Sequence, residues 1–181
     1  MVVTYMETSE DAQQLLLFLN TWEIPNHDRR PIEHLQTKQQ LLEFAKTQIG
    51  FTSEIDSLEE AVSFRNDVRK MIASGEADYI NAWIIKRGLQ FRVHRIDAKE
   101  RFSPGFTSEK DSLIDFMLTN MMELIVSGSF QRIKICPDCK WAFFDQSKSG
   151  TKKWCSMNVN SPSGRACGTI AKVRRFRNKE K

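Results

Sequence analysis

The chain has no uninterrupted apolar run of about 18 residues, so no helical membrane span is expected. Its start, Met1-Val2-Val3-Thr4-Tyr5-Met6-Glu7, lacks a basic region followed by a long apolar one, and no secretory signal is expected there. Cysteine is scarce: 4 in 181 residues, none before Cys136. The missing span and signal point to a reducing compartment, the cytoplasm, where disulfides are disfavoured. The sequence carries no phosphate-cradling glycine loop, no convincing Ser/His/Asp set and no paired carboxylates. Enzymatic activity is therefore not expected. Internal repeats and low-complexity linkers are absent too. His27 beside Asp28 invites a general-base reading, but no nucleophile or second acid accompanies it, and an exposed loop histidine is the expectation.

What the chain does have is unevenly distributed. Residues 131–181 hold 13 Lys/Arg against 3 Asp/Glu, a net +10. Residues 1–130 hold 14 against 20, a net −6, and the two sum to the overall +4. An acidic body carrying a basic module suggests a polyanionic partner for the module.

The body reads as helical. Thr8 to Leu19 places Ala12, Leu15, Leu16 and Leu19 on one face. Ile24 to Pro31 is a loop by its prolines and Asn/Asp. Thr37-x-x-Gln40 and Ser57-x-x-Glu60 are capping boxes for helices ending near Gly50 and Gly75. A shorter helix spans Asp78 to Lys86. The period then changes to two: Leu89 to His94 alternates apolar with polar, as a half-buried strand does, with Arg92 and His94 outward. Asp97–Glu100 is the turn and Arg101 to Phe106 the returning strand. Ser108 to Val126 is apolar nearly all round and reads as the central core helix, its methionines as filler.

In the basic quarter all four cysteines gather. Cys136-Pro137-Asp138-Cys139 is a Cys-x-x-Cys knuckle, followed by Cys155 and Cys167. The first pair can chelate one ion from a tight turn while the other two return through the fold. One structural Zn2+ per chain held by Cys136, Cys139, Cys155 and Cys167 is the expectation. Its rivals are a redox Cys-x-x-Cys, which usually sits beside a βαβ pattern not seen here, and buried cysteines acting as small hydrophobes. Arg132–Ile135 leads into the knuckle as a strand, and a second strand is expected at Lys152–Trp154. Met157 to Ala166 is a loop, and a basic helix follows Cys167.

The strings Cys136-Pro-Asp-Cys139, Trp141-x-Phe143-Phe144-Asp145-x-Ser147-Lys148, Lys153-Trp154-Cys155-Ser156-Met157 and Cys167-Gly168 with a basic helix resemble the CGNR zinc finger. Proteins of that family look like bacterial stress-related transcription regulators with an N-terminal ABATE domain. Phe18-Leu19-Asn20-Thr21 is similar to the Phe-x-Asn-Thr segment that opens it. Where the family has Asn-Arg, this chain has Thr169-Ile170, and its loop between Cys155 and Cys167 is longer.

The resemblance implies a mainly α protein: a multihelical N-terminal domain (residues 1–130) with a small β-hairpin, then a treble-clef-like or ribbon-like zinc finger (residues 131–181) ending in a basic helix. It implies DNA binding, with Lys148, Lys152, Lys153, Lys172, Arg174, Arg175 and Arg177 meeting phosphates. The body would sense a small-molecule effector, around Asn20, Thr21 and Arg30, or mediate a homodimer. The alternative is a zinc-stapled RNA- or protein-binding module without operator specificity, with Trp141, Phe143 and Trp154 stacking on bases if exposed.

Overall fold

The computed structural model describes residues 8–25, 29–95, 102–157 and 166–179. His27, the 97–100 turn and the loop 158–165 lie outside the described residues.

Helix α1 (Glu10–Leu19) starts at Ser9, whose hydroxyl accepts from the Ala12 amide at 3.3 Å. It buries Ala12, Leu15, Phe18 and Leu19. Asn20 and Thr21 end it, and a two-residue ladder follows, β1 (Trp22–Glu23) against β2 (Ile32–Glu33). Helix α2 (Lys38–Phe44) carries the complete capping box: Gln40 N donates to Thr37 Oγ1 and Thr37 N to Gln40 Oε1. It runs into a π-turn at Ala45–Ile49, which no sequence signal announced, and stops at Gly50 in the left-handed region (φ 75°). Only half of the second box forms. Ser57 caps α3 (Leu58–Ser74), while Glu60 turns outward to Lys86 Nζ at 2.7 Å. Helix α4 (Asp78–Arg87) follows.

The long apolar helix, α5 (Leu113–Val126), is shorter than the Ser108 start expected for it. Residues 111–113 instead bridge Glu54: Glu54 N donates to Asp111 O and Leu113 N to Glu54 O. Ser112 then caps the helix. Met117, Met121 and Met122 are buried in the core that α5 shares with α1 and α3, as filler should be. Burying each such side chain contributes about 1.5–3 kcal/mol. Together α1, α3 and α5 form the centre of that core.

The hairpin of β3 (Gln90–Arg95) and β4 (Phe102–Thr107) forms, with Arg92 and His94 outward, but β3 is not the half-buried strand expected. Every residue of β3 is exposed, with Phe91 at 60% and Val93 at 63%. It is β4 that meets the body: Gly105 is buried and Phe106, paired with Phe91, packs partly against the core. A Cβ on Gly105 would lie 2.9 Å from the His94 ring and 3.8 Å from Glu123 Oε1. Alternation marks a two-faced strand but does not say which face the helices take.

After a 3₁₀ turn at Phe130–Arg132, β5 (Ile133–Ile135) pairs antiparallel with β6 (Ala142–Phe144). The second strand of the C-terminal hairpin is thus β6, not Lys152–Trp154, which is loop. Ala142-Phe143-Phe144 wins because it follows the knuckle turn directly and buries Ala142 and Phe143. Ile133 and Ala142 belong to the same core as the helices. Helix α6 (Cys167–Lys179) ends the described chain. No described helix is long and apolar enough to cross a membrane. The chain is about half helical, with small two-stranded sheets and a C-terminal finger, as expected.

Candidate metal centre and the surface around it

The knuckle forms because Cys136 N donates to Trp141 O and Lys140 N donates to Cys136 O, both at 2.9 Å. That turn places Lys140 in the left-handed region (φ 61°), a strained setting for a residue with a Cβ. Cys155 arrives on the loop after β6, and Cys167 is the first residue of α6. The four Sγ atoms lie within 4.8 Å of one another. Cys139 and Cys155 are 3.5 Å apart, Cys155 and Cys167 3.8 Å. A tetrahedral ion at about 2.3 Å from each sulfur sets ligand sulfurs about 3.8 Å apart, so the site fits one such ion. Cys136, Cys139 and Cys167 are buried and Cys155 is half-buried.

The cysteines' acidities are driven apart. Hydrogen bonds from Cys139 and Cys155 hold the Cys136 thiol far below the ordinary thiol range. Burial, then the neighbouring cysteines, push Cys167 well above it. Four sulfurs this close share their negative charge poorly unless a metal neutralises it.

The loop joining β6 to Cys155 is organised by Asp145, which is fully buried. It accepts from Lys134 Nζ at 2.6 Å, from Ser147 N and Oγ at 3.0 and 2.6 Å, and from Lys152 N at 2.8 Å. Burial alone would raise its pKa; these donors outweigh it and hold the carboxyl well below the usual range. At α6, a Cβ on Gly168 would fall 2.1 Å from Met157 Sδ, so the Cys-Gly pair lets Met157 cross the helix start. The Thr169 hydroxyl donates to Met157 O at 2.6 Å. Thr169 thus fastens the Cys155 loop to α6 without the family's asparagine.

Three side chains of the body grip the finger's main chain. Asn20 donates through Nδ2 to Ala142 O (2.9 Å) and accepts at Oδ1 from Ala142 N (2.8 Å). Arg69 lies over the Trp22 ring and donates to Leu19 O (2.7 Å) and Lys140 O (2.6 Å). Burial, and then Arg65, push its guanidinium down to about 10, still charged at neutral pH. Arg29 donates to Asp138 O at 2.7 Å. Thr21 is also engaged: its hydroxyl donates to Phe18 O and accepts from the fully buried Arg65.

Asn20 and Thr21 both reach the wall of one cavity, of about 720 Å3, between α1, α2 and β6. Arg30 is exposed and does not line it. Lys148, Lys152, Lys153, Lys172, Arg174, Arg175 and Arg177 are all exposed. Lys152 and Lys153 border a groove of about 630 Å3 with Lys134 and Lys140, against the end of α3. Phe143 is buried and Trp141 and Trp154 half-buried in the metal cluster, which assigns all three to packing. Sequence reasoning missed Lys134 and Lys140 as groove cations, Asp145 as the loop's anchor and Arg69 as a tether. None lies in a periodic pattern, and only the folded hairpin brings them together.

A hairpin knuckle, a returning loop and a helix start that converge four cysteines define a metal-binding finger. Residues 132–180 match the family model of the CGNR zinc finger. No curated protein gives a match.

Proposed function

We propose that the protein is a zinc-dependent DNA-binding regulator, its finger contacting phosphates and its ABATE-like body sensing an effector or mediating dimerisation. The observation that carries it is α6. Its first two residues are buried at the metal centre, and from Lys172 to Asn178 every side chain is exposed. Lys172, Arg175 and Arg177 thus stand in solvent, and Arg174, also exposed, reaches Asp138 Oδ1 at 3.5 Å, on a helix that starts at the four-cysteine cluster. Cationic side chains on a rigid mount provide the sequence-independent part of DNA affinity. The four thiolates would hold zinc with its coordination sphere closed, which suits a structural ion rather than a catalytic one. Zinc supplies no step here beyond fixing the knuckle to α6, and the protein is read as a binder and not an enzyme.

Sequence selection on a random duplex pool with the zinc-loaded protein tests this reading. Enrichment of a defined site supports the regulator. Retention of duplexes without enrichment would favour the zinc-stapled module that lacks operator specificity. RNA binding by base stacking is the weaker reading, because Phe143 is buried and both tryptophans pack against the metal cluster.

A further inference from the structure

The cavity between body and finger has a composition of its own. Leu16, Leu17, Phe44 and Trp141 give it apolar walls. Among the described residues that line it, none is an aspartate or glutamate, in a chain that has 23 of them. Its one permanent cation among them is Lys152, whose ammonium sits 5.5 Å from the Phe143 ring centroid. Among the described residues no carboxylate pairs with that ammonium. The π-turn of α2 brings Gln48 to the same wall. Such turns are frequent at binding sites, because the wider turn redirects one side chain at a cost the fold must offset. A volume of about 720 Å3 lies within the range of small-molecule sites.

We propose that this cavity binds a small organic anion: a flat apolar body of two or three rings against Leu16, Leu17, Phe44 and Trp141, with one acidic group at Lys152. Charge complementarity sets the class. A wall whose described residues include no acid, with one ammonium that no described carboxylate pairs, favours one negative charge and rejects a cation. The occupant touches α1 and α2 on the body side, and β6 and Cys155 on the finger side. It therefore bridges the two halves of the regulator proposed above. The site rests on that reading for its biological use, but its occupancy is measured without nucleic acid.

The probes are 1-anilinonaphthalene-8-sulfonate, which has naphthyl and phenyl rings and one sulfonate, and the uncharged N-phenyl-1-naphthylamine. Both are titrated by fluorescence into the full metal-loaded chain. One site per chain is expected for each. Lys152→Gln should weaken the sulfonate about tenfold and leave the neutral probe unchanged. Leu17→Trp, at an exposed wall position, should fill the cavity and weaken both at least tenfold. Gln48→Trp serves the same purpose should Leu17→Trp not fold. The double variant Phe91→Ser/Val93→Ser, on the exposed hairpin face, should change neither. Probe binding that survives both cavity-filling variants, or disappears with the hairpin variant, overturns the proposal. Equal loss of both probes in Lys152→Gln overturns the assignment of the anion subsite. Loss of DNA binding in the selection experiment leaves these titrations untouched, so the two readings fail separately.

Discussion

Asn20→Ala isolates the joint between body and finger. Asn20 is the C-cap of α1, at φ −87° and ψ 6°, a conformation alanine adopts without strain. Its side-chain amide meets both main-chain groups of Ala142 on β6, 122 residues away. Ala142 is 1% exposed. Truncation removes two hydrogen bonds worth about 1 kcal/mol each, net, and leaves a buried N–H and C=O unpaired at about 1–3 kcal/mol apiece. The neighbouring cavity lets water satisfy those groups, which removes most of the unpaired penalty and leaves a total of about 2–3 kcal/mol. With a urea slope of about 1–3 kcal/mol/M, the unfolding midpoint should fall by roughly 1 M.

The joint also predicts a second readout. Since β6 follows the knuckle directly, Asn20→Ala should speed metal loss to a competing chelator. Equilibrium unfolding in urea, followed by circular dichroism, and the rate of zinc transfer to a chromophoric chelator measure the two effects. A destabilisation below about 0.5 kcal/mol together with an unchanged transfer rate would refute the claim that Asn20 couples the halves.

Three further outcomes follow from the finger's geometry. Gly168→Ala should destabilise by about 1–2 kcal/mol, since the Cβ displaces Met157 and outweighs the gain of up to about 1 kcal/mol for removing a helical glycine; in a Met157→Ala background the cost should shrink to what the Ser156 carbonyl, 3.3 Å away, still imposes, as thermal melts would show. Asp145 has its folded pKa depressed, so its stabilisation is present in full above its unfolded value near 4 and is lost as pH falls from there through its lower folded value; Asp145→Asn should cost about 2–4 kcal/mol at about pH 7 and flatten the acid limb of the stability–pH curve. Metal analysis of freshly purified, reduced protein should give one zinc per chain, and chelation should melt the finger and also lower the body's melting temperature, because Ile133 and Ala142 sit in the shared core. Stoichiometry well under one, or a body indifferent to chelation, would contradict that.

The helices and the gathering of the four cysteines are legible in the sequence because each rests on a local signal. The capping box at Thr37 and the cysteine spacing state their geometry within a few residues or in residue types that have few other uses. The hairpin of β3 and β4 shows where local signals end: period two is read from the chain, but whether a face is covered depends on packing far away in sequence, and β3 is left exposed while β4 meets the body. The strand at β6 escapes sequence reading for a related reason. Ala142 becomes a strand residue by pairing with Ile135 and by Asn20 closing its outer edge. The resemblance of Asn20 to a family segment implies a ligand role; the structure gives its amide to Ala142 and leaves it lining the cavity. The π-turn that brings Gln48 there has no sequence signature to read.

The central claim is that a metal-anchored basic helix meets DNA phosphates. It is tested most directly by the salt dependence of duplex binding, measured by fluorescence anisotropy with the zinc-loaded chain and its Arg174→Gln/Arg175→Gln/Arg177→Gln variant. Binding to every duplex tested should weaken in the variant. The log–log salt slope should also be shallower by about 0.9 for each phosphate no longer neutralised, up to about 2.7 for all three arginines. An unchanged affinity and slope would place α6 off the nucleic acid and contradict the account.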